Sequence, residues 1–513
     1  MTIYDVDKSI SRLSTKSSGV DGISSQVLQI ASPFIVESLT HIYNLSITHN
    51  IFPSDLKTAK VIPIPKIKNA TSPSDHRPIS VLSVLSKPLE RHIHTHLFRF
   101  LETNKLLIPL QSGFRPKHSC HTALSHIIEQ WHSAIQNSEL TGAVFLDLKK
   151  AFDMVNHEIL LKKLTAYGLT DSTTNFFKSY LANRTQKVYT NGNTSNAGTV
   201  KHGVPQGSIL GPLLFCLFIN DMPLSISNPE AKCELFADDS TVHVRKSNVC
   251  DINRILQQSI NEIKSWCDEN QMLISSAKTK SMLVTTRQKH QREPLNLHLC
   301  LGQDVIEQVS KHRLLGVIVD DKLRWEPHID KLCKTLATNV FLLSQLKRFI
   351  RTEYCKMFFN AHIKSHYEYV STLWDQCSAN HFEKLNSLFN RAVKILSPGS
   401  MNLDGRLKAL NMLPLRKQLD VNKCVFIHKI LNGKCPKYMS QMILPCIQQH
   451  DHDTRNSSLR APRPRIDLNK QSLVFSGVSL YIDIPTHIRN SRTTKTFKNA
   501  VTKYFDKDNL YIS

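Results

Sequence analysis

The sequence predicts an α+β protein, on three observations. Residues 24–49 repeat apolar side chains at roughly helical spacing, through Val27, Ile30, Phe34, Ile35, Leu39, Ile42 and Leu45. The apolar run over 141–148 holds Asp147 at its end, the pattern of a buried strand that delivers a carboxylate. The stretch 231–244 places β-forming residues on both sides of Asp238 and Asp239, as a hairpin with an acidic tip would.

The remaining elements follow in chain order. Pro53 closes the first helix. Residues 57–66 are β-rich but carry Pro63 and Pro65, which predicts an edge strand or a hairpin arm. Residues 69–75 form a connector and 84–101 a second helix. After the strand that ends at Asp147 comes a helix at 157–167. A hairpin is predicted over 187–200, around Asn191-Gly192. The glycine-containing turn 203–211 leads into an apolar helix at 212–220. An amphipathic helix is predicted at 252–269 and a strand at 314–319. Three helices follow, at 329–350, 353–374 and 382–396. Residues 331–364 hold seven Lys or Arg against one acid, Glu353. That excess is either a solvated face or a surface for a polyanion. From 454 the chain is rich in Arg and Ser, then regains apolar residues near 473–484, as a small terminal module would.

The chain has 513 residues, 41% of them hydrophobic and 21% charged. Such a composition excludes a mostly disordered or fibrous chain, and the length suits about three domains. The net charge of +23 exceeds what solubility needs and points to nucleic acid as partner. Twelve cysteines are scattered, with no CxxC; Cys424 and His428 have ligand-like spacing but no second pair nearby. This usage, with no signal-like N-terminus, predicts an intracellular protein of a reducing compartment. The longest apolar run, 209–219, is broken by Gly211 and Pro212 and too short for a membrane span.

The acids carry the chemistry. Desolvating a strand-end carboxylate costs several kcal/mol unless it is paired or bound to metal. Adjacent Asp238 and Asp239 repel each other, which a divalent cation relieves, and Asp oxygens suit Mg²⁺. Taken alone, Asp238-Asp239 is more often a simple turn. The wider set changes the weighting. Phe145-Leu-Asp-Leu-Lys-Lys-Ala-Phe-Asp153, Gly203-Val-Pro-Gln-Gly-Ser208 and Phe236-Ala-Asp-Asp239 occur in that order. They resemble motifs A, B and C of reverse transcriptases, in the flavour of the non-LTR (LINE-type, jockey-like) retrotransposons. Ser18-Gly-Val-Asp-Gly-Ile23, Asp75-His-Arg-Pro-Ile-Ser80 and Gln111-Ser-Gly-Phe-Arg115 are similar to the fingers segments of that family. Lys278-Thr-Lys280 resembles motif D, and Arg313-Leu-Leu-Gly316 the primer-grip motif E.

The resemblance implies a right-hand fold: fingers over 1–140, palm over 141–325, a helical thumb over 326–400 and a C-terminal module over 401–513. It implies an RNA-directed DNA polymerase that extends a primer 3′-hydroxyl with dNTPs by two-metal catalysis. Asp147, Asp238 and Asp239 would be the catalytic metal ligands, with the carbonyl of Leu148. Lys66 and Arg77 would hold the triphosphate, Phe152 would block a 2′-hydroxyl, Gln206 would line the nucleotide site, and Lys278 would protonate the pyrophosphate. Asp153 reads as a helix N-cap. The cofactor would be Mg²⁺, with Mn²⁺ as a substitute. The partners would be an RNA template, a DNA primer or nicked target DNA, dNTPs, and an element-encoded endonuclease or RNA-binding protein in trans. No membrane is expected, and the family implies nucleus and cytoplasm. Motif D has Ser275 where the family usually has Asn, and Tyr481 stands where Trp is common. An upstream endonuclease and a downstream RNase H are not expected, as in a truncated element. The competing readings are an inactive RNA-binding remnant and a group II intron-type maturase.

Overall fold

The structure is a computed structural model that describes residues 1–14, 18–292, 296–397, 399, 401–443, 464 and 467–507. Its strands are β1 (Thr58–Pro65), β2 (His76–Val81), β3 (Leu140–Asp147), β4 (Arg184–Thr190), β5 (Asn193–Thr194), β6 (Gly198–Val200), β7 (Lys232–Phe236), β8 (Asp239–Lys246) and β9 (Lys280–Val284). The short β10 (Cys300–Leu301), β11 (Asp304–Val305), β12 (Glu307–Gln308), β13 (Lys311–Leu314) and β14 (Val317–Asp320) complete the set. The helices that place the site are α1 (Ile3–Ser11), α2 (Ser25–Thr48), α3 (Ser86–Thr103), α4 (Cys120–Gln136), α5 (Ala151–Met154), α6 (His157–Ala166), α7 (Asp171–Leu181), α8 (Leu210–Ile219) and α9 (Val249–Glu269). The expected α+β class is what the chain adopts.

The apolar run ending at Asp147 becomes the middle strand of a five-stranded sheet, ordered β12-β9-β3-β8-β7. Every pair is antiparallel except the two-residue β12–β9 edge. Residues 140–146 of β3 are all buried, because both faces are covered. On one face, α9 comes so close to Gly142 that a Cβ there would meet Ile252 Cγ2 at 2.3 Å. Trp131 of α4 packs edge-on to Phe145. Helix α8 is apolar all round and is buried on every side, as such a helix must be in water. Among the described residues no helix is long and apolar enough to cross a membrane.

A second sheet is ordered β2-β1-β4-β5, with β6 also paired to β4. It joins residues 58–81 to residues 184–200, so strand pairing crosses the expected division at 140/141. The largest apolar cluster likewise runs from Val6 to Ile306. A second cluster joins β3 and α4 to the helices after Trp325, and a third gathers buried side chains of the C-terminal part, among them Leu413, Ile427, Met439, Tyr481 and Phe497.

Four local expectations need correction, after one pair of alternatives is resolved. The 57–66 strand is the hairpin arm of the two, antiparallel to β2, and not an edge, since β4 pairs its other side. The two prolines lie past the β4 contact, which spans only Thr58–Val61, so no ladder bond is lost on that side. The stretch 314–319 is a hairpin, β13–β14, turned by Leu315 (φ 44°) and Gly316 (φ 88°). The 353–374 helix widens to a π turn at 360–364 without ending, and is broken only at Tyr369–Val370, where Val370 sits at φ 50°. Helix α2 buries Leu28, Val36 and Tyr43, and leaves Val27, Ile30 and Phe34 in solvent. Polar contacts set that rotation: the Gln29 amide donates to the carbonyls of Ile10, Ser11 and Leu13, and the Tyr43 hydroxyl to Leu85. Asp153 caps no helix; α6 is capped by Asn156, whose side chain accepts from Glu158 and Ile159 N–H. Of the Arg- and Ser-rich stretch after 454, all but Pro464 up to residue 466 lies outside the described residues. The lone Cys424 and His428 pair is core: Cys424 is buried, and the His428 ring stacks on Phe497 at 4.0 Å.

Candidate active site

Asp147 ends β3 where the chain leaves the sheet. Its carbonyl accepts from Ser275 N–H at 2.8 Å, and Lys149 N–H donates to Leu273 at 2.7 Å, so the 270s loop clamps the strand end. Lys150, at φ 47°, then turns the chain into α5. The β3–β8 register sets Asp147 directly opposite Asp239. Asp238 occupies the tip beside it. Strand pairing alone therefore gathers the three acids.

The tip has a built support. Ala237 sits at φ 57°, a left-handed conformation that costs an alanine about 1–2 kcal/mol. Gln111, fully buried, holds it: Oε1 accepts from Ala237 N–H at 3.3 Å and from Gly113 N–H at 2.9 Å. Around it, Ser112 N–H donates to Leu235 and Leu235 N–H to Leu110. A Cβ on Gly113 would lie 2.4 Å from Ala237 N, so only glycine fits there. Arg115 braces the segment from behind, donating to the carbonyls of Ile108 and Gln111 and pairing with Glu102 at 2.6 Å. The Gln111–Arg115 motif is legible in the sequence, but its part as a brace for the acidic tip is not.

The acids are electrostatically crowded. Asp239 is pushed up from 3.8 to about 6, first by desolvation, then by Asp238 and Asp147. Asp238 is raised too, by desolvation and then by Asp147. Arg77, on β2, pulls against both shifts. Lys278 reaches Asp147 Oδ2 at 3.5 Å, an ion contact too long and loose to be a strong hydrogen bond. Among the described residues no three His, Cys, Asp or Glu side chains are gathered tightly enough to cage a metal by themselves. Mutually repelling carboxylates open to solvent still suit a divalent ion that keeps waters and borrows ligands from phosphate.

A second group adjoins the acids. Phe152, half-buried on α5, stacks on Phe215 at 4.3 Å and meets Phe114 edge-on at 6.1 Å. Phe114 itself is at φ 55° and half exposed, a residue the motif reading passed over. The Gln206 amide donates to Asp153 Oδ1 at 2.8 Å, which gives Asp153 its actual role. Gly203 and Gly207 make this fit possible. Gly203 lies against the Phe152 and Asp153 backbone, and a Cβ on Gly207 would be 2.2 Å from the Ser80 carbonyl. Ser80 N–H in turn donates to the Gln206 carbonyl at 2.7 Å, tying this turn to the strand that bears Arg77. Lys66 Nζ donates to the Ser74 carbonyl at 3.0 Å; burial raises the Asp153 carboxyl, and the Gln206 bond and then the Lys150 and Lys66 charges work against that rise. The sites read from sequence thus fall into two adjoining sets: Asp147, Asp238, Asp239, Arg77 and Lys278, and beside them Phe152, Gln206 and Lys66. Leu148 bridges to Ile274 and is buried.

Residues 64–319 match the family model described as reverse transcriptase (RNA-dependent DNA polymerase). The chain belongs to the reverse transcriptase family. All of the sites above lie within the matched residues. The chain is 28% identical over 402 residues to a probable RNA-directed DNA polymerase from transposon BS of Drosophila melanogaster, covering 74% of this chain and 43% of that one. It is 27% identical over 357 residues to the RNA-directed DNA polymerase from mobile element jockey of the same fly, covering 67% and 38%. These are reverse transcriptases of non-LTR elements, the flavour that the motifs resemble. The chain spans less than half the length of these relatives. Reverse transcriptases work with divalent metal ions.

Proposed function

We propose that this chain is an RNA-directed DNA polymerase of a non-LTR retrotransposon, extending a DNA primer on an RNA template with dNTPs. The observation that carries the reading is the pairing of Asp147 with Asp239 at the ends of β3 and β8, with Asp238 beside them. The domains read as a right hand. Fingers come from the N-terminal region with the second sheet, the palm from the acid-bearing sheet, the thumb from the helices after 326, and a further module from the C-terminal residues.

The reaction is in-line attack of the primer 3′-hydroxyl on the α-phosphate of a dNTP, with pyrophosphate leaving. A bound Mg²⁺, or Mn²⁺ in its place, would supply charge neutralisation for this transfer. Asp147, Asp238 and Asp239, with the Leu148 carbonyl, would hold it. Arg77 grips the triphosphate in a planar fork and Lys66 adds charge beside it. Lys278 donates a proton to the departing pyrophosphate. The Phe152 ring lies against the sugar and rejects a 2′-hydroxyl. Gln206, fixed by Asp153, shapes the floor of the nucleotide site. The A-form hybrid is held through its backbone, without reading its sequence. The work is done inside the cell.

Extension of oligo(dT) on a poly(A) RNA template tests this. The purified chain should add dTMP in the presence of Mg²⁺ and stop when the metal is chelated. A chain that binds the primer–template but adds nothing, with Mg²⁺ or Mn²⁺, would overturn the reading in favour of an RNA-binding remnant.

A further inference from the structure

The helical corner at residues 341–359 leaves large apolar side chains in water. The helix Glu326–Leu346 buries Leu336, Val340 and Leu343. Phe341, Leu342 and Gln345 lie on its other face, and Arg348 and Phe349 follow in the turn just past its end. Phe349 is 83% exposed and Phe341 55%. The next helix, Thr352–Phe359, buries Cys355 and Phe359 and leaves Tyr354 56% and Met357 66% exposed. Single exposed apolar residues need no explanation, but a run of them in one short stretch does. Exposed cations are interleaved with them: Arg348, Arg351 and Lys356, against the single acid Glu353. Lys347 is instead turned inward to the Thr352 hydroxyl. The corner lies outside the residues of the family match.

We propose that this corner binds an unpaired nucleic-acid strand, stacking bases on Phe349 and Tyr354 while Arg348, Arg351 and Lys356 hold the backbone. Charge complementarity selects a polyanion. The rings select one whose bases present open faces, because stacking is open to any base. A duplex hides those faces inside its own stack, and an acidic peptide offers few. The inference rests on the polymerase reading only in saying which strand arrives: template ahead of the copied region, or a displaced DNA strand.

The test uses the full chain with chelator and no dNTP, so that binding is read apart from synthesis. Anisotropy follows labelled oligo(U), oligo(dT) and a blunt RNA–DNA hybrid of about 12 nucleotides, near the usual footprint of such surfaces. Replacing both rings, Phe349→Leu with Tyr354→Leu, keeps apolar area but removes the stacking faces. It should weaken both single strands at least about tenfold and leave the hybrid nearly unchanged. The wild-type chain's relative affinity for oligo(U) and oligo(dT) distinguishes an RNA occupant from a DNA one. Arg348→Gln with Arg351→Gln should lower the slope of log affinity against log salt by about 1.4, or about 0.7 per charge. Phe349→Trp keeps a ring and should bind like the wild type, which separates stacking from packing. Unchanged single-strand affinity in the leucine variant overturns the inference and leaves the face to a protein. Equal losses on single strands and hybrid overturn it too. Failure of wild-type extension with single-strand binding intact would instead count against the polymerase reading alone.

Discussion

The acids of the C-terminal junction each have a partner, whereas the acids at the strand ends mainly have each other. Asp375 meets Lys423 at 2.6 Å with both side chains fully buried. Glu129, buried on α4, accepts the Leu473 and Val474 N–H groups and so ties the C-terminal residues to the helix behind the acid-bearing sheet. Burial raises it from 4.5 to about 7, and those bonds work against the rise. Among the described residues, the cations that Asp147, Asp238 and Asp239 meet are Arg77 and, in a loose contact, Lys278. The difference teaches which acids the fold uses for itself. Paired acids hold elements together. On the proposed reading, unpaired, crowded acids are a cost that the fold bears for a ligand.

Four substitutions sharpen or break that division, from the largest expected effect to the smallest. Asp375→Ala strands the Lys423 ammonium in the core and should cost about 3–5 kcal/mol, read by chemical denaturation. Asp239→Asn should cost nothing by the same measurement. If both variants melt like the wild type, the junction acids are not structural. Phe152→Val should raise ribonucleotide use relative to deoxynucleotide at least about tenfold, since a buried unpaired hydroxyl costs ~1–3 kcal/mol. Comparison of kcat/KM for dCTP and rCTP checks it. Phe152 also stacks on Phe215, so a lower melting temperature with an unchanged ratio would return the ring to the core. Gln111→Leu keeps the volume but leaves the Ala237 and Gly113 N–H groups unpaired. It should cut extension by about tenfold and raise the Mg²⁺ concentration needed for half-maximal rate, as a loss of ~1–3 kcal/mol at the tip would. An unchanged Mg²⁺ requirement would make Gln111 a packing residue only.

The pH dependence is the smallest effect. A carboxyl raised in the folded state binds its proton more tightly there than in the unfolded chain. Asp239 therefore makes the folded chain slightly less stable as pH rises from about 4 to about 6, and adds nothing further above that. Its side chain is open to solvent, so the stability change is slight. Extension should rise through about pH 6, and the midpoint should fall as Mg²⁺ is raised. A midpoint indifferent to Mg²⁺ would separate Asp239 from the metal.

Much of this was legible in the sequence, and the reasons differ by region. Strand β3 announces itself because both faces are covered and every residue of 140–146 is apolar or small, and the β7–β8 hairpin shows in its β-forming residues, whereas β9 and β12 of the same sheet are not among the predicted strands. The acids stand out because each ends or interrupts an apolar, β-forming run. The rotation of α2 was not legible: Gln29 and Tyr43 overrule the apolar stripe by bonds to distant carbonyls, which a periodicity cannot contain. Asp153 reads as a cap until Gln206 comes across from another turn. The Gln111 brace depends on contact between segments more than a hundred residues apart in the chain, and the Lys423–Asp375 pair on a helix packing that no local pattern encodes.

The central claim is that the crowded acids exist for metal-dependent synthesis and not for the fold. Extension and primer–template binding by Asp147→Asn, measured in parallel with the melting temperature, test it most directly. The account predicts that extension is lost, that binding by anisotropy stays near the wild-type level, and that the melting temperature is unchanged or higher. Extension at near wild-type rate, or a loss of extension that only tracks a loss of folding, would contradict it.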